Sequence, residues 1–161
     1  WTKMSAFACK GIYKVMIDYA TDLPNADLVG KSDPYVIISF RYHDVETKEL
    51  KDYQVGKTKV ISNNLNPVWQ ETFEIDIANL PEKPKINQLL FEVYDKDMVG
   101  SDYLGMGIAD FAEVNRQICK DSPYACLYDL YKKNKDGTRG EMLEPQSQLA
   151  VAIAYEGNEY L

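Results

Sequence analysis

Alternation with a period of two runs through this chain and restricts much of it to strands. Tyr13, Val15 and Ile17 alternate with Lys14, Met16 and Asp18; Phe73, Ile75 and Ile77 alternate with Thr72, Glu74 and Asp76; Leu149, Val151, Ile153 and Tyr155 alternate with Ala150, Ala152 and Ala154. Successive strand residues point to opposite faces, so each stretch turns one face of large side chains toward a core. β-branched and aromatic residues fill such windows, and Gly, Pro, Asn and Asp interrupt them. The pattern predicts eight strands, at 11–19, 34–42, 51–61, 69–77, 88–94, 103–110, 125–130 and 148–155. One short helix is predicted over 110–120, with Asp110 as N-cap and Phe111, Val114 and Ile118 on one side. The expected fold is all-β: an eight-stranded antiparallel Greek-key β-sandwich with one short helix in a connecting loop. At 161 residues, with no internal repeat, low-complexity tract or linker, a single domain is expected. The connections 43–52, 78–88 and 132–147 carry no chemical signal. Lys132, Lys133, Lys135 and Arg139 in the last of these suit either a solvated loop or a basic contact surface.

Apolar runs such as 149–155 fall well short of the ~20 residues that a membrane-spanning helix needs. Trp1, standing where an initiator Met would be, gives the expectation of a fragment of a larger protein. Cys9, Cys119 and Cys126 have no CxxC spacing and there is no N-x-S/T sequon, as expected of a reduced, cytoplasmic chain. Lys and Arg number 18 against 25 Asp and Glu, a net charge of −7. That balance excludes nucleic-acid binding by bulk charge. Taken alone it also disfavours anionic membranes. Where the acids sit therefore matters more than their number.

Two acidic clusters stand out: Asp27-Leu28-Val29-Gly30-Lys31-Ser32-Asp33 and Asp95-Lys96-Asp97-Met98-Val99-Gly100-Ser101-Asp102. Each is expected in a loop just beyond a strand. Brought to one end of a sandwich, they would set five carboxylates together. Two like charges ~4 Å apart repel by up to about 4 kcal/mol at an effective dielectric near 20. A hard divalent cation relieves that repulsion, and Ca²⁺ accepts irregular oxygen sites better than Mg²⁺. Unrelated, solvated turn aspartates are the other reading. An EF-hand loop starting at Asp95 fails, because its fifth position is Val99 and its twelfth is Met106, where a bidentate Glu is required. His43, the single histidine, lies away from both clusters, which argues against zinc and against nucleophilic catalysis.

The ordered motifs Asp33-Pro34-Tyr35-Val36, Lys57-Thr58-Lys59-Val60, Leu65-Asn66-Pro67-Val68-Trp69, Phe91-Glu92-Val93-Tyr94-Asp95-x-Asp97 and Asp102-Tyr103-Leu104-Gly105 resemble a C2 domain of the synaptotagmin, protein-kinase-C and phospholipase-C type. The resemblance covers nearly the whole chain and implies one domain over 1–161 with its core at about 11–156. The alternating strand at 148–155 comes last, which resembles the circularly permuted type II topology. In many members three loops at one edge bind Ca²⁺ and then phospholipid headgroups. The resemblance implies Asp27, Asp33, Asp95, Asp97 and Asp102 as metal ligands, with the carbonyl of Lys96 between Asp95 and Asp97. It implies two ions and leaves a third open, because the stretch from Asp97 to Asp102 is one residue short and Ser101 is out of register for an accessory hydroxyl. Lys57 and Lys59 match half of the family's phosphoinositide groove, but Val36-Ile37-Ile38-Ser39-Phe40 supplies no lysine for the other half.

Leu28 and Val29 in the first loop and Met98 and Val99 in the third lie between carboxylates, which suits membrane insertion. The expected function is Ca²⁺-dependent binding of anionic phospholipid, targeting a cytoplasmic parent protein peripherally to membranes in trafficking or signalling. A Ca²⁺-indifferent protein–protein module is the alternative. No enzymatic activity of the domain itself is expected, and no nucleic-acid partner. Setting aside the five aspartates leaves 20 acids against 18 bases, or −2, so most of the charge that disfavours a membrane sits in one proposed cup.

Overall fold

The structure, a computed structural model, describes residues 11–27, 29–80, 86–118 and 123–156. Its strands are β1 (Ile12–Thr21), β2 (Pro34–His43), β3 (Leu50–Lys57), β4 (Val68–Asp76), β5 (Ile86–Asp97), β6 (Gly100–Asp110), β7 (Tyr124–Asp129), β8 (Tyr131–Lys133), β9 (Arg139–Met142) and β10 (Gln148–Glu156). A 3₁₀ turn, Ile77–Asn79, follows β4, and helix α1 (Phe111–Ile118) follows β6. The strands form two antiparallel sheets, ordered β4-β1-β10-β7 and β3-β2-β5-β6-β8-β9. The eight expected strands are all present. β10 pairs with β1, so the last strand lies beside the first, as in the permuted topology.

Alternation decides which faces meet. Tyr13, Val15 and Ile17 of β1, Leu149, Val151 and Ile153 of β10, and Val36, Ile38 and Phe40 of β2 are buried between the sheets with Leu89, Phe91 and Val93 of β5. A bulge between Ile17 and Tyr19 shifts the register of β1 and turns Ala20 inward where the strand approaches the loop edge. Helix α1 closes the core with Phe111, Val114 and Ile118. Asp110 caps it, its Oδ1 accepting the Ala112 N–H (3.0 Å). One polar contact locks α1 to β1: the buried Tyr13 hydroxyl donates to Asn115 Oδ1 (2.5 Å).

Three boundaries differ from the sequence reading. β3 ends at Lys57 rather than 61, because Thr58 turns inward, accepting the Val36 N–H (2.9 Å) and donating to the Lys59 carbonyl (3.0 Å). β5 and β6 run on through the second acidic cluster, which is a tight hairpin and not a long loop. The connection 132–147 contains strands of its own, β8 and β9. Its turn reaches across the sheet, where Arg41 Nη1 donates to the Gly137 carbonyl (2.6 Å) while Arg41 also grips Asp52 through Nε and Nη2 (2.8 and 3.0 Å). Periodicity cannot reveal a three-residue strand, which is too short to show an alternation.

Tyr13→Phe strands the buried acceptor of Asn115. The expected loss is about 1–3 kcal/mol in urea unfolding with an unchanged m-value. A variant as stable as the parent would show that this bond does not lock the helix.

Candidate metal centre

The site lies where three connections meet: 22–33 between β1 and β2 (loop 1), 58–67 between β3 and β4 (loop 2), and 98–99 between β5 and β6 (loop 3). Backbone bonds tie them together. Leu23 N–H donates to the Leu65 carbonyl (3.0 Å), Asn64 N–H to the Ser32 carbonyl (3.0 Å) and Lys96 N–H to the Asp33 carbonyl (3.0 Å). Ser32, fully buried, closes loop 1 by accepting the Ala26 N–H and donating to the Pro24 carbonyl (2.9 and 3.1 Å).

Loop 3 shows why Asp-x-Asp spacing matters. β5 continues its alternation past Val93, so Asp95 and Asp97 share a face. In the hairpin Asp95 pairs with Asp102 and Asp97 with Gly100. Gly100 has φ +131°, a conformation that L side chains avoid. Met98 and Val99 form the turn itself.

Asp27, Asp95 and Asp97 each offer an oxygen within 4.8 Å of the others. Asp102 lies at hydrogen-bonding distance from Asp97, and Asp33 donates its backbone N–H to Asp95 Oδ1 (2.7 Å). All five aspartates therefore meet at one edge. Asp95 has no solvent exposure, and among the described residues its Oδ2 has no hydrogen-bond donor. A buried carboxylate oxygen without a donor is costly unless a cation faces it. The donors are hard oxygens, which suit Ca²⁺.

Proton affinities reflect the crowding. Asp97 is pushed up to about 6, first by its hydrogen bond with Asp102, then by burial and by the charges of Asp102, Asp95 and Asp27. Burial raises Asp95; the Asp33 N–H opposes this and the neighbouring Asp27 carboxyl adds to it.

The other expected residues fall as follows. Val29, Met98 and Val99 are 91%, 102% and 96% exposed, so the tips are fully bare. Leu28 lies outside the described residues, as do Cys9 and Cys119; Cys126 is a free thiol. Lys96 is exposed on β5 between its two aspartates. Ser101 pairs with Lys96, on the face opposite Asp95 and Asp97, and its Oγ is bonded to the Tyr35 hydroxyl (2.8 Å). Lys57 stands over the Tyr35 ring, 5.0 Å from its centroid. Lys59 lies beyond the end of β3, where its N–H donates to Glu71 Oε2 (2.9 Å) and its carbonyl accepts the Trp69 indole (2.9 Å). The two lysines therefore do not share one strand. Two further cations of this sheet face are held internally: Arg41 by Asp52, and Lys133 by Glu92 (3.1 Å) beside the Tyr103 ring. Asn63 of loop 2, which donates its N–H to Asp33 Oδ1 (2.6 Å), is a contact of the acidic cluster that sequence reasoning missed. Asn63-Asn64 reads only as a turn signal.

A C2 domain family model matches residues 11–130. Synaptotagmin-4 of Arabidopsis thaliana is 40% identical over 133 residues, 82% of this chain and 21% of that protein. The Arabidopsis protein named calcium-dependent lipid-binding protein is 41% identical over 116 residues, 72% of this chain and 20% of that protein. The chain thus spans about a fifth of the length of these relatives. In structure it is similar to a C2 domain of a plant extended synaptotagmin 1, with TM-score 0.62 and 27% identity, covering 92% of this chain and 96% of that one.

The raised Asp97 sets a testable sign. Its folded value of about 6 exceeds the ordinary 3.8, so between these values the folded chain holds a proton that the unfolded chain has released. Stability in calcium-free buffer should therefore rise as pH falls from 7 toward 5. Melting at pH 7, 6 and 5 measures this. Asp97→Asn should flatten the trend, and a midpoint that falls across this range in the parent would contradict the crowding.

Proposed function

We propose that this chain, which belongs to the C2 domain family, binds Ca²⁺ at its acidic edge and thereby attaches peripherally to anionic phospholipid membranes. The observation that carries the reading is the buried Asp95 with its donor-less Oδ2, set among Asp27 and Asp97, on loops whose apolar tips are bare. Asp27, Asp33, Asp95, Asp97 and Asp102, with the carbonyl of Lys96, would hold two ions. Bound there, two Ca²⁺ supply four positive charges and coordination positions that lipid phosphate or carboxylate can fill.

The chain's own residues do the rest. Without cations the cup presents up to five negative charges and opposes an anionic surface. With the charge offset, Val29, Met98 and Val99, joined by Leu28, enter the interface. Full burial of such a side chain contributes roughly 1.5–3 kcal/mol. Partial insertion of a few therefore gives reversible attachment rather than anchoring. No helix among the described residues is long and apolar enough to cross a membrane. A C2 domain is a binding module, and we assign this one no catalytic role. The cytoplasmic face of a membrane, with its anionic lipids, is the matching surface.

Liposome cosedimentation tests the reading directly. Phosphatidylserine vesicles should retain the chain with Ca²⁺ and release it with chelator. Equal retention in both conditions sinks the proposal and favours the Ca²⁺-indifferent protein-interaction module. Asp95→Asn with Asp97→Asn should abolish the calorimetric Ca²⁺ signal. Met98→Ala with Val99→Ala should leave that signal intact while weakening vesicle partitioning by roughly tenfold.

A further inference from the structure

Loop 2 enters the acidic edge through a residue that carries no carboxylate. Asn63 has φ +52°, in the left-handed region that Asn tolerates better than most residues. In that conformation two of its hydrogen-bonding groups serve loop 1. Its backbone N–H donates to Asp33 Oδ1 (2.6 Å). Its side-chain Oδ1 accepts the Lys31 N–H (2.7 Å). Asp33 passes the connection on, donating its own N–H to Asp95 Oδ1 (2.7 Å) and accepting the Lys96 N–H at its carbonyl (3.0 Å). One chain of bonds thus runs from loop 2 through loop 1 to the end of β5.

We infer that Asn63 is a positioning residue: it clasps Asp33 by one carboxylate oxygen and leaves the other for a cation. This rests on the reading of the edge as a Ca²⁺ site. The physical need is clear. A carboxylate among four others is repelled toward solvent, and without a tether it has to be returned to the cup each time a cation binds. A group held in place beforehand loses less freedom on binding. The second bond, to Lys31, fixes the stretch of loop 1 that carries the exposed Val29.

Two substitutions in the whole chain separate the two bonds. Asn63→Gly keeps the left-handed backbone, and with it the donor to Asp33, but loses the acceptor for Lys31. Asn63→Val loses the acceptor and disfavours the backbone conformation as well. Titration calorimetry with calcium chloride should find the glycine variant within about threefold of the parent. The valine variant should bind roughly tenfold more weakly, the worth of one hydrogen bond to a carboxylate. A purely structural role would instead lower the melting point of the calcium-free chain and leave affinity unchanged. A valine variant with parental affinity therefore overturns the inference.

Amide hydrogen exchange in calcium-free buffer tests the clasp without the ion. The Lys31 and Asn63 amides should be protected in the parent. Lys31 alone should lose protection in the glycine variant, and both should lose it in the valine variant. An Asn63 amide exchanging at the solvent rate in the parent overturns the clasp. Protected amides in a parent that binds no Ca²⁺ support the clasp and overturn only the calcium reading.

Discussion

Asp95 is a carboxylate without solvent exposure, and the arrangement of the whole loop edge follows from accommodating it. Burial of an ionised group is unfavourable by several kcal/mol unless partners offset it. One partner is the Asp33 N–H, which requires loop 1 to pass close to the end of β5. Loop 1 in turn is held by backbone bonds from loop 2. The remaining oxygen faces other carboxylates, so the arrangement is complete only with a cation or a shared proton. The raised affinity of Asp97 for protons, caused first by its neighbour Asp102, expresses the same crowding.

Such an edge is destabilising in itself, and the sandwich beneath it has to supply the difference. Its inner faces are large and apolar, and the buried pair Tyr13 and Asn115 joins helix to sheet through a hydrogen bond. Concentrating unfavourable electrostatics at one end of a well-packed body is the usual relation between function and stability. It lets the binding end change its charge state while the strands that carry it keep their register.

The sequence made the body legible because period two is a long-range signal, repeated over strands whose inner residues are large and outer residues small or charged. The five aspartates were legible as two spaced clusters and through the family motifs that contain them, although the second was expected in a loop and lies instead on the paired ends of β5 and β6. What escaped depended on single side chains. Thr58 ends β3 by a hydrogen bond to another strand. Ser101 is carried to the outer face by its pairing with Lys96, where it meets Tyr35. Asn63 acts through a backbone conformation, and its letter alone reports only a turn. Each of these is a tertiary contact between distant positions, for which local pattern holds no information.

The hairpin of β8 and β9 has a bearing on orientation. It adds the Gly137 carbonyl to the Asp52 carboxylate that already holds Arg41, and it ties its own Lys133 to Glu92, so neither cation is free for an anionic surface. Lys57 is left there over its tyrosine. A domain with a broad basic flank can lie down on a bilayer, gripping it by a side as well as a tip. Here cations of the flank are tied up by the chain's own folding, and the most exposed large apolar side chains among the described residues, Val29, Met98 and Val99, sit at the loop end. Under the proposed function, such a body would meet a membrane by its loop end alone, a small footprint that a cation could both create and abolish.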